Sequence, residues 1–439
     1  MDMKFAGFRL LEAASHLRRP PPRPSQQPHV DADSSPGERS LWIYVTTVGE
    51  LNAIEPFLVA LMEALKQPAL TLITNHAHYG DAYRAKYPQA QVEVLQGSTP
   101  EVDDLLRRRP PCLLVVAEIP CLLHDAPCRF SYATVRAVRA SGAPVVLVNG
   151  WLYNYAAASR MDAIETHLFG ADYVRSFDLM LVQTEEVRQR LLQHGALPEH
   201  VLVTGNIKFD AMQSAASRQP DGELLDALRA RPAAPRIVAG SVTELADQSA
   251  ILVAFSQVLA QHPSACLILA PRHPENLERM QALRTLLATH FPQALMRSEC
   301  TAEQAAASQV LILDTIGELR GCYSLATLAY VGTDHNLLEP LAFGKPVYTS
   351  GRWEPTYPSY PVYLQLTGAG AVHLVPDVET MGALWVQALA AEELDSANRL
   401  QHVLASARGA TERCMKACSE HRVLDRALAL AAQALATRS

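Results

Sequence analysis

Nowhere does the sequence gather the ~20 consecutive apolar residues that a helix needs to cross a bilayer, so a membrane-spanning helix is not expected. Its eight cysteines, Cys112, Cys121, Cys128, Cys266, Cys300, Cys322, Cys414 and Cys418, include no CxxC pair and no Cys/His cluster at zinc spacing. That excludes the common structural zinc sites, and scattered cysteines in a chain without a signal peptide point to a reducing cytosol. Cys414 and Cys418 lie one helical turn apart and read as neighbours on one face. Positive charge is also in deficit: the formal net charge is −7, which argues against a general nucleic-acid binder, whose mark is a basic domain or stripe. Short anionic ligands stay open, because helix N-termini and a few local cations suffice for them. There is no internal repeat of solenoid length.

What the chain does have is size. Its 439 residues, 49% apolar and 19% charged, exceed what one hydrophobic core usually serves, so two domains are expected. Residues 1–19 contain "MKFAGFRLLEAASHLRR", which places Phe5, Phe8 and Leu11 near one helical face beside Lys4, Arg9, Arg18 and Arg19. Such a stretch could lie on an anionic membrane surface, on the cytoplasmic face of an inner membrane, or pack on the body of the protein. Residues 20–40 are rich in Pro and Ser and read as a disordered linker.

From residue 41, short β-rich apolar runs alternate with helical stretches, ending with a strand at 200–203. Strands alternating with helices mean parallel βαβ units in a doubly wound α/β sheet, and residues 41–210 form one such domain. The stretch 211–234 has no strand, carries Pro220, Asp221 and Gly222, and reads as the interdomain linker. A second series runs from strand 236–239 to strand 346–348, giving a second Rossmann-like domain over 235–391. Helices fill 392–439, a tail long enough to cross back onto the first domain. Two such domains in tandem leave a cleft, and ligands of open α/β sheets sit at the carboxyl ends of the strands.

Those strand ends hold the candidate chemistry. In "LWIYVTTVGELNAIEPFLVAL" a buried-strand composition passes into helical spacing through Thr-Val-Gly-Glu, and Glu50 stands at the junction. Its ordinary explanation is an acid in a first helical turn, worth ~0.3–1 kcal/mol against the helix dipole. In the second half, "RIVAGSVTE" pairs Ser241 with Glu244 as a capping box, and Gly240 lets backbone N–H groups approach a phosphate. The loop "LAPRHPE" presents Arg272 and His273 between prolines, and a guanidinium suits phosphate or carboxylate. In "DTIGELRG", Thr315 and Glu318 read as another capping box with Gly317 opening the helix. In "DHNLLEPLAFGKPVY", Asn336 caps a helix that carries Glu339 one turn in. Each loop alone is ordinary.

Their order and spacing are not. Thr-Val-Gly-Glu, "VTGNIKFD", "AGSVTE", "PRHPE", "DTIGEL" and "HNLLEPLAFGKPV" follow one another as in the bacterial 3-deoxy-D-manno-octulosonic acid (Kdo) transferases, which the chain resembles over residues 41 to about 375. The resemblance implies the two-Rossmann-domain GT-B fold and transfer of Kdo from CMP-Kdo to a lipid A precursor in lipopolysaccharide biosynthesis. It puts Glu50 at the position of the catalytic base, which suits a carboxylate that takes a proton from an attacking hydroxyl. It puts Arg272 and His273 on the nucleotide side, with Ser241 and the loop of Ile316, Gly317 and Glu318 near phosphate and base. Asn336 and Glu339 become ribose and donor contacts, Lys208 the lysine near the cleft, and Glu118 an acceptor-side acid. No metal or other cofactor is implied: there is no DxD-like pair, and helix N-termini with Arg can neutralise a leaving phosphate.

The chain departs from the family on the acceptor side. "AEIPCLLHD" keeps Glu118 but lacks the family's second acid and Trp-Pro-Asn, and "NGWLYNY" carries Trp151 where the family has arginine. The glycine-rich segment before His-Asn shrinks to "GTDHN", and the short N-terminal amphipathic stretch stands where the family has a hydrophobic anchor. Two other readings stay open: a nucleotide-sugar hydrolase or epimerase, and a non-catalytic relative of the same fold.

Overall fold

A computed structural model describes residues 3–16, 39–118, 130–152, 156–216, 220–355, 357, 359–390 and 395–436. The linker expected over 20–40 falls, except for its last two residues, outside the described residues, as do positions 119–129 and 153–155. The chain divides into two compact units: Met1–Ala211 with Gly409–Ser439, and Met212–Arg408.

The first unit is built on seven parallel strands: β1 Ser40–Tyr44, β2 Ala69–Thr74, β3 Gln91–Val94, β4 Pro111–Ala117, β5 Val145–Gly150, β6 Leu179–Val182 and β7 Val201–Val203, in the order β3-β2-β1-β4-β5-β6-β7. Side chains alternate across a strand. Leu41, Ile43, Val146 and Val148 accordingly join one core, and Trp42, Tyr44, Val145 and Leu147 the other. Both faces are covered by helices, which is why the strands read as unbroken apolar runs instead of alternating ones.

Three stretches sharpen the sequence expectation. The first concerns Met3–His16, which is a helix whose Phe8 is buried against the rings of Tyr132 and Phe169, at centroid distances of 5.0 and 5.4 Å. Phe5 packs on the same core, Arg9 pairs with Asp103 at 2.8 Å, and Glu12 accepts the Thr99 N–H at 3.1 Å. The apolar face is thus spent on the protein itself, while Leu11, expected on that face, is exposed with Met3 and Leu10.

The second concerns 211–234, read as an interdomain linker in which a helical patch follows Gly222. The helix Glu223–Ala230 lies there and buries Leu224, Leu225 and Leu228. The third is the C-terminal stretch, read as helical and long enough to cross back onto the first domain. Its helix Asp395–Ala407 belongs to the second unit, while Ala410–Glu420 and Val423–Ala436 belong to the first. Asp210 accepts the N–H groups of Gly409 and Thr411 at 2.8 and 2.7 Å, Arg413 donates to the Thr204 carbonyl at 2.8 Å, and Cys414 and Cys418 are buried in the first unit's core.

The second unit repeats the plan with β8 Arg236–Val242, β9 Cys266–Pro271, β10 Leu295–Met296, β11 Val310–Ile312, β12 Leu328–Val331, β13 Val347–Ser350 and β14 His373–Val375, ordered β10-β11-β9-β8-β12-β13-β14. The edge strands β10 and β14 have no counterpart in the sequence reading. At two and three residues they carry too little periodicity to be seen.

Candidate active site

In each sheet the strand order reverses at one place, between β1 and β4 and again between β8 and β12. Connections leave toward opposite faces there, opening a crevice at the carboxyl ends. The chemistry of both units collects at these two places.

In the first unit, Thr47 follows β1 in extended conformation and accepts the Glu50 N–H at 3.2 Å, so the helix Val48–Ala53 starts with Glu50 as its third residue. The side chain folds back toward the strand end. One carboxyl oxygen accepts the Thr46 N–H at 2.6 Å and the other accepts the Thr46 hydroxyl. Glu50 is 6% exposed and Glu118, at the end of β4, 3%. Burial, and then the charge of Glu118, pushes the Glu50 carboxyl up to about 7, against the opposing pull of Thr46 and the Lys208 ammonium. This is more than a dipole acid: it is a carboxyl that changes protonation near neutrality, as a general base must.

Glu118 is held by two partners. Lys208 pairs with it at 2.8 Å and the Asn149 amide donates at 2.9 Å. Lys208, expected as the lysine near the cleft, belongs to the first unit and pairs with this acid. Asn149 also accepts the Ile207 N–H at 2.9 Å, and its carbonyl accepts from Gln183 at 3.0 Å. Gln183 in turn accepts from Asn206 at 2.8 Å, and Asn206 accepts the Lys208 N–H at 3.0 Å. The strand ends of β5, β6 and β7 are thereby tied into one buried polar network that fixes the lysine. Trp151, standing where the family has arginine, is buried and donates its backbone N–H to the Glu118 carbonyl at 2.5 Å.

In the second unit Arg272 and His273 follow β9. The Arg272 guanidinium donates to the His273 ring at 3.1 Å and to the ring of His335, which lies beyond β12. Burial, then the charges of Arg272 and His273, hold His335 well below the usual imidazole range, so it stays neutral and accepts. His273 also bonds Glu275 at 2.9 Å, and Thr243 lies 3.4 Å from His335. Asn336 accepts the Leu338 N–H at 3.1 Å. Glu339 is raised by burial and stabilised as a carboxylate by Arg320 and Asn336.

Two expected capping boxes are absent. Strand β8 runs on through Val242, so Ser241 is a strand residue and Glu244 itself opens the helix Leu245–Gln261 without a side-chain cap bond. The helix after β11 starts at Leu319, not Gly317. Glu318 precedes it, bonded through its side chain to Thr315 and to Arg297 at 3.1 Å. Ile316 is 65% exposed beside it. Gly240 has a packing reason as well: a Cβ there would stand 1.9 Å from the Tyr323 hydroxyl.

Eight described non-glycine residues have positive φ, and five of them, Glu118, Asn149, Ser241, His273 and Asp334, sit at or just past strand carboxyl ends. Such conformations cost of order 1–3 kcal/mol and persist where the surroundings over-determine them, commonly at functional sites. Asn149, Gln183, Asn206, Asp334 and His335 were not singled out from the sequence, although each lies at a strand end where a ligand is expected.

Residues 16–211 match the family model described as 3-deoxy-D-manno-octulosonic-acid transferase (kdotransferase). The Kdo transferase of Haemophilus influenzae is 28% identical over 334 residues, 72% of this chain and 71% of that protein. The Bordetella pertussis enzyme is 27% identical over 359 residues, 77% of each. The chain is similar to the Kdo transferases over these stretches. The matched segment contains Glu50, Glu118, Asn149 and Lys208, so the buried network of the first unit lies inside the matched region. Solved structures share the fold: a putative UDP-N-acetylglucosamine 2-epimerase from Listeria monocytogenes, 14% identical, covers 88% of this chain and 96% of its own at a TM-score of 0.59. A glycosyltransferase from Rickettsia africae, 11% identical, covers 88% and 98% at 0.54. The chain has the GT-B fold, with two parallel seven-stranded sheets, and its similarity to the Kdo transferases makes it a glycosyltransferase.

Proposed function

We propose that the protein transfers Kdo, or a closely related 2-keto sugar acid, from its CMP-activated form to a hydroxyl of a lipid A precursor or another glycan. Glu50 takes the proton of the attacking hydroxyl, and Lys208 with Glu118 sets its charge. The observation that carries this reading is the buried Glu50 carboxyl poised at about 7 beside an acid and a lysine. A carboxylate held ready in a dry site accepts a proton as the anomeric carbon is attacked, and the proton need not cross bulk water.

The second unit is assigned the donor. Arg272 offers a planar fork to a phosphate or sugar carboxylate, His335 buttresses it in neutral form, and Asn336 with Glu339 offers acceptors and donors to ribose hydroxyls. Charge on the departing CMP is met by the guanidinium and backbone N–H groups, so the reaction is assigned no metal. Incubation with CMP-Kdo and lipid A precursor, read by mass spectrometry, tests the whole assignment. Glu50→Gln is expected to abolish transfer while CMP binding persists, and transfer retained in that variant removes the base. EDTA is expected to leave the rate unchanged; a loss restored by a divalent cation overturns the metal-free assignment.

Nucleic acid is not among the assigned partners. The reading places the protein in the cytoplasm, in peripheral contact with the inner membrane through the exposed Met3, Leu10 and Leu11 of its first helix. Full-length protein is expected to sediment with anionic liposomes, and a chain lacking residues 1–38 to do so less. Failure of both counts against the contact.

A further inference from the structure

Beside the Glu50 site the first unit carries a group of rings that the transfer reaction has not used. The turn after β2 reads Asn75-His76-Ala77-His78-Tyr79, with Ala77–Tyr79 forming a single 3₁₀ turn pinned by the His76 N–H donating to the Thr74 hydroxyl at 3.2 Å. Strand β2 is the neighbour of β1, with Ile73 opposite Tyr44, so the turn emerges beside the strand end that leads to Glu50. His78 and Tyr79 have ring centroids 4.1 Å apart at 49°, His76 and His78 5.5 Å apart, and Tyr79 leads inward to Tyr83 at 6.2 Å. Tyr83 is wholly buried and lies within reach of the Glu50 charge. Four rings therefore step outward from the neighbourhood of the base: Tyr83 buried, Tyr79 and His76 half-buried, His78 exposed. Asp81 and Arg84, which follow the turn in sequence, pair with each other at 2.9 Å.

We propose that His76, His78 and Tyr79 form the acceptor-sugar subsite, stacking one face of a hexopyranose so that its nucleophilic hydroxyl points toward Glu50. The inference rests on the transfer reading above. One face of a pyranose is a patch of C–H groups, complementary to the electron-rich face of an aromatic ring. A shelf of rings next to the base thus suits the C–H face of a sugar.

Steady-state kinetics of the full-length protein with CMP-Kdo and lipid A precursor test this with H78A, Y79A and H78F. Each alanine variant is expected to raise the acceptor KM about tenfold, roughly the loss of one stacking contact. Their kcat, donor KM and acid-limb midpoint are expected to stay at wild-type values. H78F keeps a ring and is expected to restore the acceptor KM, which a purely structural role for the turn would not produce. Wild-type turnover with an unaltered acceptor KM in H78A overturns the subsite alone, as does an H78F that fails to recover. Absence of turnover in the wild-type protein overturns the transfer reading and the subsite with it. If Y79A does not fold, H78A decides, because that ring is exposed.

Discussion

Glu50 gives the sharpest consequences at the scale of single residues. Its carboxyl is raised by burial and by Glu118 and lowered by Lys208, so the two neighbours are expected to move the acid limb of the rate profile in opposite directions. E118Q removes a negative charge and shifts the midpoint below about 7. Replacing Lys208 by methionine removes a positive one, leaves Glu118 uncompensated, and shifts it upward. A pH–kcat/KM series on the two variants reads both signs, and shifts in the same direction contradict the assignment of Glu50 as the titrating group. Folding stability carries the same signature with its own sign. A carboxyl whose pKa is raised on folding binds its proton more tightly in the native state, so stability falls as pH rises from about 4.5 toward 7. The Tm of E50Q relative to wild type should therefore be higher at pH 8 than at pH 5.

Among elements, the strand ends matter more than the helices between them. Asn149 bonds Glu118, the Ile207 N–H and Gln183 at once. Asn149→Leu keeps the backbone bond to Gln183 but leaves the Ile207 N–H buried without its acceptor, at about 1–3 kcal/mol, removes the amide bond to Glu118, and is expected to lower Tm by several degrees while loosening Lys208. At the second crevice a Cβ on Gly332 would lie 2.2 Å from the Ser241 carbonyl oxygen. Backbone cannot yield there as a side-chain tip can, so Gly332→Ala should impair folding or open the β8–β12 pairing, seen as lost protection of the Gly332 amide in hydrogen exchange. This is also the scale at which the sequence is most readable and least. Strands buried on both faces announce themselves as apolar runs such as 111–117. The capping boxes at Ser241 and Thr315 did not form, because tertiary pairing carried β8 two residues past Gly240 and Arg297 drew Glu318 aside. Asn149, Gln183 and Asn206 form a site only when three strand ends meet, and no spacing along the chain encodes that meeting.

For the molecule as a whole, motif order pointed to the resemblance where no single motif did, since six short loops at the right strand ends are a pattern of the fold. The path of the chain was legible in outline, from a helical tail long enough to cross back onto the first domain. It leaves the first unit at residue 211 and returns at 409, where Asp210 binds the returning backbone and Cys414, Ala417 and Cys418 enter the core. Removing 409–439 should therefore lower the stability of the first unit selectively, as a loss of its hydrogen-exchange protection with that of the second unit retained. The same path bears on biosynthesis. A growing polypeptide usually completes its leading domain first, but here the leading domain waits for the last thirty or so residues to clear the ribosome. Until then its uncovered apolar surface is a substrate for chaperones, and a message truncated near its 3′ end yields a protein defective in the domain that was made first.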